Sequence, residues 1–141
     1  MSLTITCPRT GRISCLFNNG VRVSAIYVGK KKAPWFSVCY NYYHHRVTVT
    51  YKKRSFTFDF WVSIDNPEMR TRDDLSTALW CFLTDAIAGM DDFYDFCSNF
   101  GYDHDSITAH KAWKACQMAD KKAKRVFYDK DIFKLAEYFG D

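Results

Sequence analysis

With 141 residues, 48% of them apolar and 18% aromatic, the chain is long enough to bury one core, too short for two, and too rich in rings to remain disordered. Its net charge of +4 is unevenly spread: residues 1–70 hold 11 Lys/Arg against 3 Asp/Glu, residues 71–105 hold 1 against 8, and residues 106–141 hold 8 against 5. No run of about 18 apolar residues is present, and MSLTITCPRTGR at the start lacks the apolar core of a signal peptide, so the sequence reads as that of a cytoplasmic protein without membrane contact.

The first 62 residues alternate at period 2, the pattern of half-buried strands. Arg12 to Phe17 reads as a strand, Asn18-Asn19-Gly20 as a hairpin turn, and Val21 to Val28 as the partner strand, stopped by Gly29. Trp35 to Tyr42 reads as a further strand, with Tyr43, His44 and His45 leading out of it. Arg46 to Tyr51 and Ser55 to Phe60 alternate cleanly around a tip of Lys52, Lys53 and Arg54. Phe56, Phe58 and Phe60 opposite Val47, Val49 and Tyr51 would supply the core side of an antiparallel sheet.

Asp65, Asn66, Pro67 and Glu68 break the pattern, and helical spacing follows. Leu75, Ala78, Leu79, Phe82, Leu83, Ala86 and Met90 form one stripe, with Thr71 or Asp73 as cap and Gly89 weakening the end. A short helix carries Phe93, Phe96, Cys97 and Phe100 on one face and ends at Gly101. A third opens at Asp105 or Ser106, with Ala109, Ala112, Trp113, Cys116, Ala119, Ala123 and Phe127 inward. A last one runs from Asp129 or Lys130 to Phe139, with Ile132, Phe133, Leu135, Ala136 and Phe139 as its apolar residues. The expected fold is one α+β domain: a strand block over 1–64, with an antiparallel sheet of four to five strands at about 12–62, then a helical block over 71–139, with three to four helices at about 72–139 on one face of the sheet.

Six scattered cysteines without a CxxC pair read as reduced, buried thiols, and no spacing suits a metal or a cofactor. GxSxG, HExxH, GxxxxGK[ST] and GxGxxG are absent, so no enzyme is expected. Asp103, His104 and Asp105 lack the ligand series of a calcium loop and suit a helix start better. Basic groups are the stronger signal. Lys111, Lys114, Lys121, Lys122 and Arg125 lie opposite the apolar face of the third helix, and Lys52, Lys53, Arg54 and Lys31 add charge from two loops. Such residues neutralise phosphates without reading sequence, although a solvated helix face is also often Lys-rich. Tyr43 is a candidate exposed anchor for a partner. Asp73, Asp74, Asp91, Asp92 and Asp95 form a candidate acidic surface.

The segments RVTVTYKKRSFTFDFW at 46–61, FYDFCSNFGYDHDS at 93–106 and AWKACQ at 112–117 resemble a family of small accessory proteins encoded by bacteriophages. The likeness spans about residues 20–127 and is most specific in the FxxFCSxxGYD…KAWKACQ pattern. It implies a phage product acting in the bacterial host cytoplasm, with no catalytic residue to carry over. The expectation that follows is an inhibitor of a host defence system, an anti-CRISPR that binds a Cas effector stoichiometrically. A nucleic-acid-binding protein using the Lys111–Arg125 face is the alternative.

Overall fold

The structure is a computed structural model and describes residues 12–30, 43–62, 69 and 71–140. Four strands, β1 (Arg12–Leu16), β2 (Arg22–Lys30), β3 (Tyr43–Tyr51) and β4 (Arg54–Val62), are followed by four helices: α1 (Arg72–Ala88), α2 (Phe93–Phe100), α3 (Ile107–Val126) and α4 (Ile132–Gly140). The strands form one antiparallel meander in the order β1-β2-β3-β4, so the α+β reading of the sequence holds.

Two of the three connections of the meander, β1–β2 and β3–β4, follow from local chemistry. Asn18-Asn19-Gly20 closes the first, with Gly20 at φ +87 and the Asn19 Oδ1 accepting from the Val21 N–H at 3.1 Å. The second has only Lys52 and Lys53 between its strands, at φ 48 and 67. Left-handed backbone costs an L-residue about 1–2 kcal/mol, and Asn-Gly is the usual solution. Replacing Lys53 with Gly is therefore expected to stabilise the fold by ~1 kcal/mol, read as a higher denaturant midpoint with an unchanged slope.

Register places Val47 opposite Phe58 and Val49 opposite Phe56, as the alternation predicts. Tyr51, however, pairs with Arg54 at the turn, not with a phenylalanine. β2 does not stop at Gly29. It passes through with Val28 as the extra residue of a bulge between Tyr27 and Gly29, where a φ of +158 favours glycine. His44 and His45 belong to β3 and do not precede it. The strand expected over Trp35–Tyr42 lies outside the described residues.

The helical layer covers one face. Phe82 of α1 stacks on Phe56 at 4.8 Å and on Phe58 at 4.5 Å, while Leu75, Leu79 and Leu83 are fully buried beside it. Phe127 packs on Phe56 and Tyr51, and Phe139 of α4 meets Phe17 at 5.0 Å. Burying one such side chain contributes roughly 1.5–3 kcal/mol, so this layer supplies most of the folding drive.

Caps fix where each helix begins. Thr71 and Asp74 form a reciprocal capping box on α1, with bonds of 3.1 and 3.0 Å. Asp92 caps α2, Ser106 caps α3, and the Asp131 carboxylate accepts from the Phe133 and Lys134 amides at the start of α4. Ser106, not Asp105, is thus the α3 cap. Two aromatic assignments change: Phe133 falls off the Ile132, Leu135, Ala136 and Phe139 stripe of α4, and Phe100 is the last residue of α2, so both are exposed, not core. Among the described residues, no helix is long and apolar enough to cross a membrane.

Candidate functional site

On α3, residues 111, 114, 118, 121 and 125 step by three and four and so share one face. Lys111, Lys114, Lys121 and Arg125 are all exposed there, around an exposed Met118. Fourteen residue steps at about 1.5 Å each give this stripe a length of ~21 Å.

Folding extends the stripe. The Arg54 Nη1 donates to the Arg125 carbonyl at 3.2 Å, which places the β3–β4 turn at the C-terminus of α3. A cation there also meets the negative end of the helix dipole. The guanidinium lies 4.6 Å over the ring of Tyr128, itself 56% exposed, so a ring is interleaved with the charges. Lys53 is exposed at the same tip.

Lys52 and Lys122 are held within the fold. The Lys52 Nζ bonds the Asp129 carboxylate, which pushes the lysine up to about 12 and holds the carboxyl below its usual range. Lys122 turns inward, its Nζ donating to the Thr57 carbonyl at 2.9 Å on the outer side of β4. This occupies an edge acceptor that another chain could otherwise use. Lys31 lies outside the described residues. Tyr43 is buried at 8% exposure, which corrects its expected role as an exposed anchor: its register places it beside Val62 on the covered face.

Asp74 and Asp92 are used as caps, and the Asp91 carboxylate accepts from Asn99 at 3.1 Å while its carbonyl accepts from the Trp113 indole at 3.0 Å. Asp73 and Asp95 are exposed. Nearby, His110 stacks on Phe93 at 4.0 Å and His104 meets Tyr94 edge-on at 4.5 Å, so both imidazoles are packed against rings. Among the described residues, no group of three or more His, Cys, Asp or Glu could hold a metal ion. Burial pushes the Cys116 thiol up to about 12, with Asp85 adding to it, and raises Cys97 as well. Both are therefore poor nucleophiles near neutral pH.

Sequence reasoning missed a second group of cations. Pairing aligns Arg12, Ile26, Arg46 and Asp59 in one row across the sheet, and Leu16, Arg22, Thr50 and Ser55 in another. These rows lie on the face opposite the helices, with Arg12, Arg22 and Arg46 exposed. The available signal was an arginine at the outward position of three of the alternating runs.

No family model matches the chain, and neither a curated protein nor a solved structure is detectably similar to it.

Proposed function

We propose that the protein binds nucleic acid, without chemistry of its own, through the surface built by the outer face of α3 and the β3–β4 turn. The observation that carries this reading is the Arg54–Arg125 contact, which joins two basic segments 71 residues apart into one surface beside an exposed tyrosine. The left-handed Lys52 and Lys53 support it: lysines stand where glycine or asparagine would relieve strain, and strain retained in this way often marks a functional position. Lys114, Lys121, Arg125 and Lys53 offer four cations beside Lys111, so the slope of log K against log salt should be at least about −3.6 on duplex and about −2.8 on a single strand. Changing the four α3 cations to Gln should flatten the duplex slope by ~3–4 and nearly abolish duplex binding, read by fluorescence anisotropy. Absence of binding by the unmodified protein to any nucleic acid at 50 mM salt or below would sink this reading.

A second reading follows from the resemblance to phage accessory proteins: an inhibitor of host defence, an anti-CRISPR that occupies a Cas effector in the bacterial cytoplasm. The observation favouring it is the exposure of Tyr94, Phe100 and Ile107 near the exposed carboxylates of Asp95, Asp103 and Asp105. Apolar side chains edged by acids suit the basic channel of a nucleic-acid-handling protein. An inhibitor of this kind would still block a reconstituted effector after the four α3 cations are removed.

A further inference from the structure

We infer that the open face of the sheet is a second nucleic-acid surface, specific for single strands; this rests on the nucleic-acid reading above and extends it to a face that reading does not use. The face is built from register. From one end to the other, its rows are Leu16-Arg22-Thr50-Ser55, Ser14-Ser24-Thr48-Thr57 and Arg12-Ile26-Arg46-Asp59, closed by the stacked pair His44 and Trp61. α1 and the aromatic core occupy the other side, and α3 meets the sheet at β4, so no described helix covers these rows.

Its chemistry is one-sided. Arg12, Arg22 and Arg46 are exposed, and six hydroxyls, from Ser14, Ser24, Thr48, Thr50, Ser55 and Thr57, lie between them. Asp59 is the single carboxylate in the rows, and its Oδ1 is taken by the His44 Nε2 at 2.8 Å. Leu16, Ile26 and Val28 are exposed among the cations at 55%, 37% and 47%. Charge complementarity therefore selects a polyanion, and the interspersed apolar side chains favour one whose bases are free to lie against protein.

Shape selects the strandedness. Four strands about 4.8 Å apart make a face ~14 Å across between the outer strands alone, before side chains are added. The major groove of B-DNA is about 12 Å wide and its minor groove about 6 Å, so this face enters neither. A single strand lies flat on such a surface, phosphates on the arginines and bases toward Leu16, Ile26 and Val28. At the β4 edge the Lys122–Thr57 bond brings α3 against the same strand, so one polynucleotide could pass from the sheet to the α3 stripe without leaving basic surface.

The test compares a fluorescein-labelled 20-nucleotide single strand with its duplex. Proteins to be measured are the unmodified chain, the triple variant Arg12→Gln, Arg22→Gln, Arg46→Gln, and the four-site α3 variant, each checked by circular dichroism. The triple variant should lose single-strand affinity by roughly tenfold or more, with its salt slope reduced by about 2, while duplex binding stays within twofold. Should the triple variant fold poorly, the single reversal Arg46→Glu and photo-crosslinking of an iodouracil strand to β1, β2 and β3 peptides replace it. Unchanged single-strand affinity, or crosslinks confined to α3, overturns the inference and leaves the α3 surface standing. Retained single-strand binding by the α3 variant, at the strength of the unmodified chain, supports the inference while removing the α3 surface from it. A triple variant whose change is loss of self-association in sedimentation, with nucleic-acid affinity intact, assigns the face to a second copy and overturns the inference.

Discussion

Gly89→Ala is expected to destabilise the protein by more than about 3 kcal/mol, a large share of the roughly 5–15 kcal/mol that holds a domain together. Gly89 caps α1 with φ −70, ordinary right-handed geometry, so its backbone angle demands nothing of glycine. The demand comes from across the interface. A Cβ built there lies 2.2 Å from the Cys116 carbonyl oxygen, 2.3 Å from its carbon and 2.6 Å from the Gln117 nitrogen. These are backbone atoms of a packed helix, so relief requires α1 and α3 to separate and not merely a change of rotamer. Movement of α3 would also draw Arg125 from Arg54, disturbing the basic surface along with the core. Urea unfolding followed by circular dichroism reads the effect. Gly101→Ala is the control, because Gly101 needs its left-handed φ of +73 but has nothing within 4 Å of a Cβ. Its cost should stay near ~1–2 kcal/mol. Equal losses at the two positions would refute close approach as the reason for Gly89.

Acid is expected to weaken the fold through His45. This side chain is fully buried on β3, between Tyr27 at 5.4 Å on β2 and Phe60 on β4, with His44 adjacent in sequence. Its Nδ1 donates to the Tyr43 carbonyl at 3.2 Å, and its buried Nε2 has no hydrogen-bond partner among the described residues. Burial lowers its pKa, His44 lowers it further, and the Tyr43 carbonyl opposes both. The folded chain therefore takes up this proton less readily than the unfolded chain, whose histidine titrates near 6.5. Stability is fully present above that value and falls as pH drops below it, by up to about 1.4 kcal/mol per pH unit until the folded pKa is reached.

Asp85 acts with the opposite sign. Burial of its carboxyl pushes it up to about 6, so its contribution grows as pH falls from there toward the ordinary carboxylate range. Asp85 as a residue is exposed even though its carboxyl is desolvated, so solvent screening reduces the effect. His45→Leu removes the histidine term alone. The difference in unfolding free energy between this variant and the unmodified chain should widen in favour of the variant from pH 7.5 to pH 5. A difference that is flat with pH would remove His45 as the cause of acid lability.

The sequence by itself determined the elements. Period-2 and period-3.6 patterning report how a segment presents its apolar side, and caps and turns act within a few residues, so the Asn18-Asn19-Gly20 turn, a helix start at Thr71 or Asp73 and another at Asp105 or Ser106 were legible before any fold was known, the structure then choosing Thr71, with Asp74, and Ser106. The sequence also showed the α3 cations, because a helix face is a local property. Tertiary structure decided which faces meet. Nothing local announces that Arg54 closes onto Arg125, that Lys122 turns away to the β4 edge, or that Tyr43 goes inward. Nor does alternation within one strand reveal that Arg12 and Arg46 fall in one row across the sheet, since register between strands sets that alignment. Gly89 makes the same point: its sequence suggests a weak helix end, while the reason for its small size lies 27 residues away in the backbone of α3. Periodicity specifies an apolar stripe without specifying its neighbour, and the neighbour is chosen by packing the whole chain at once.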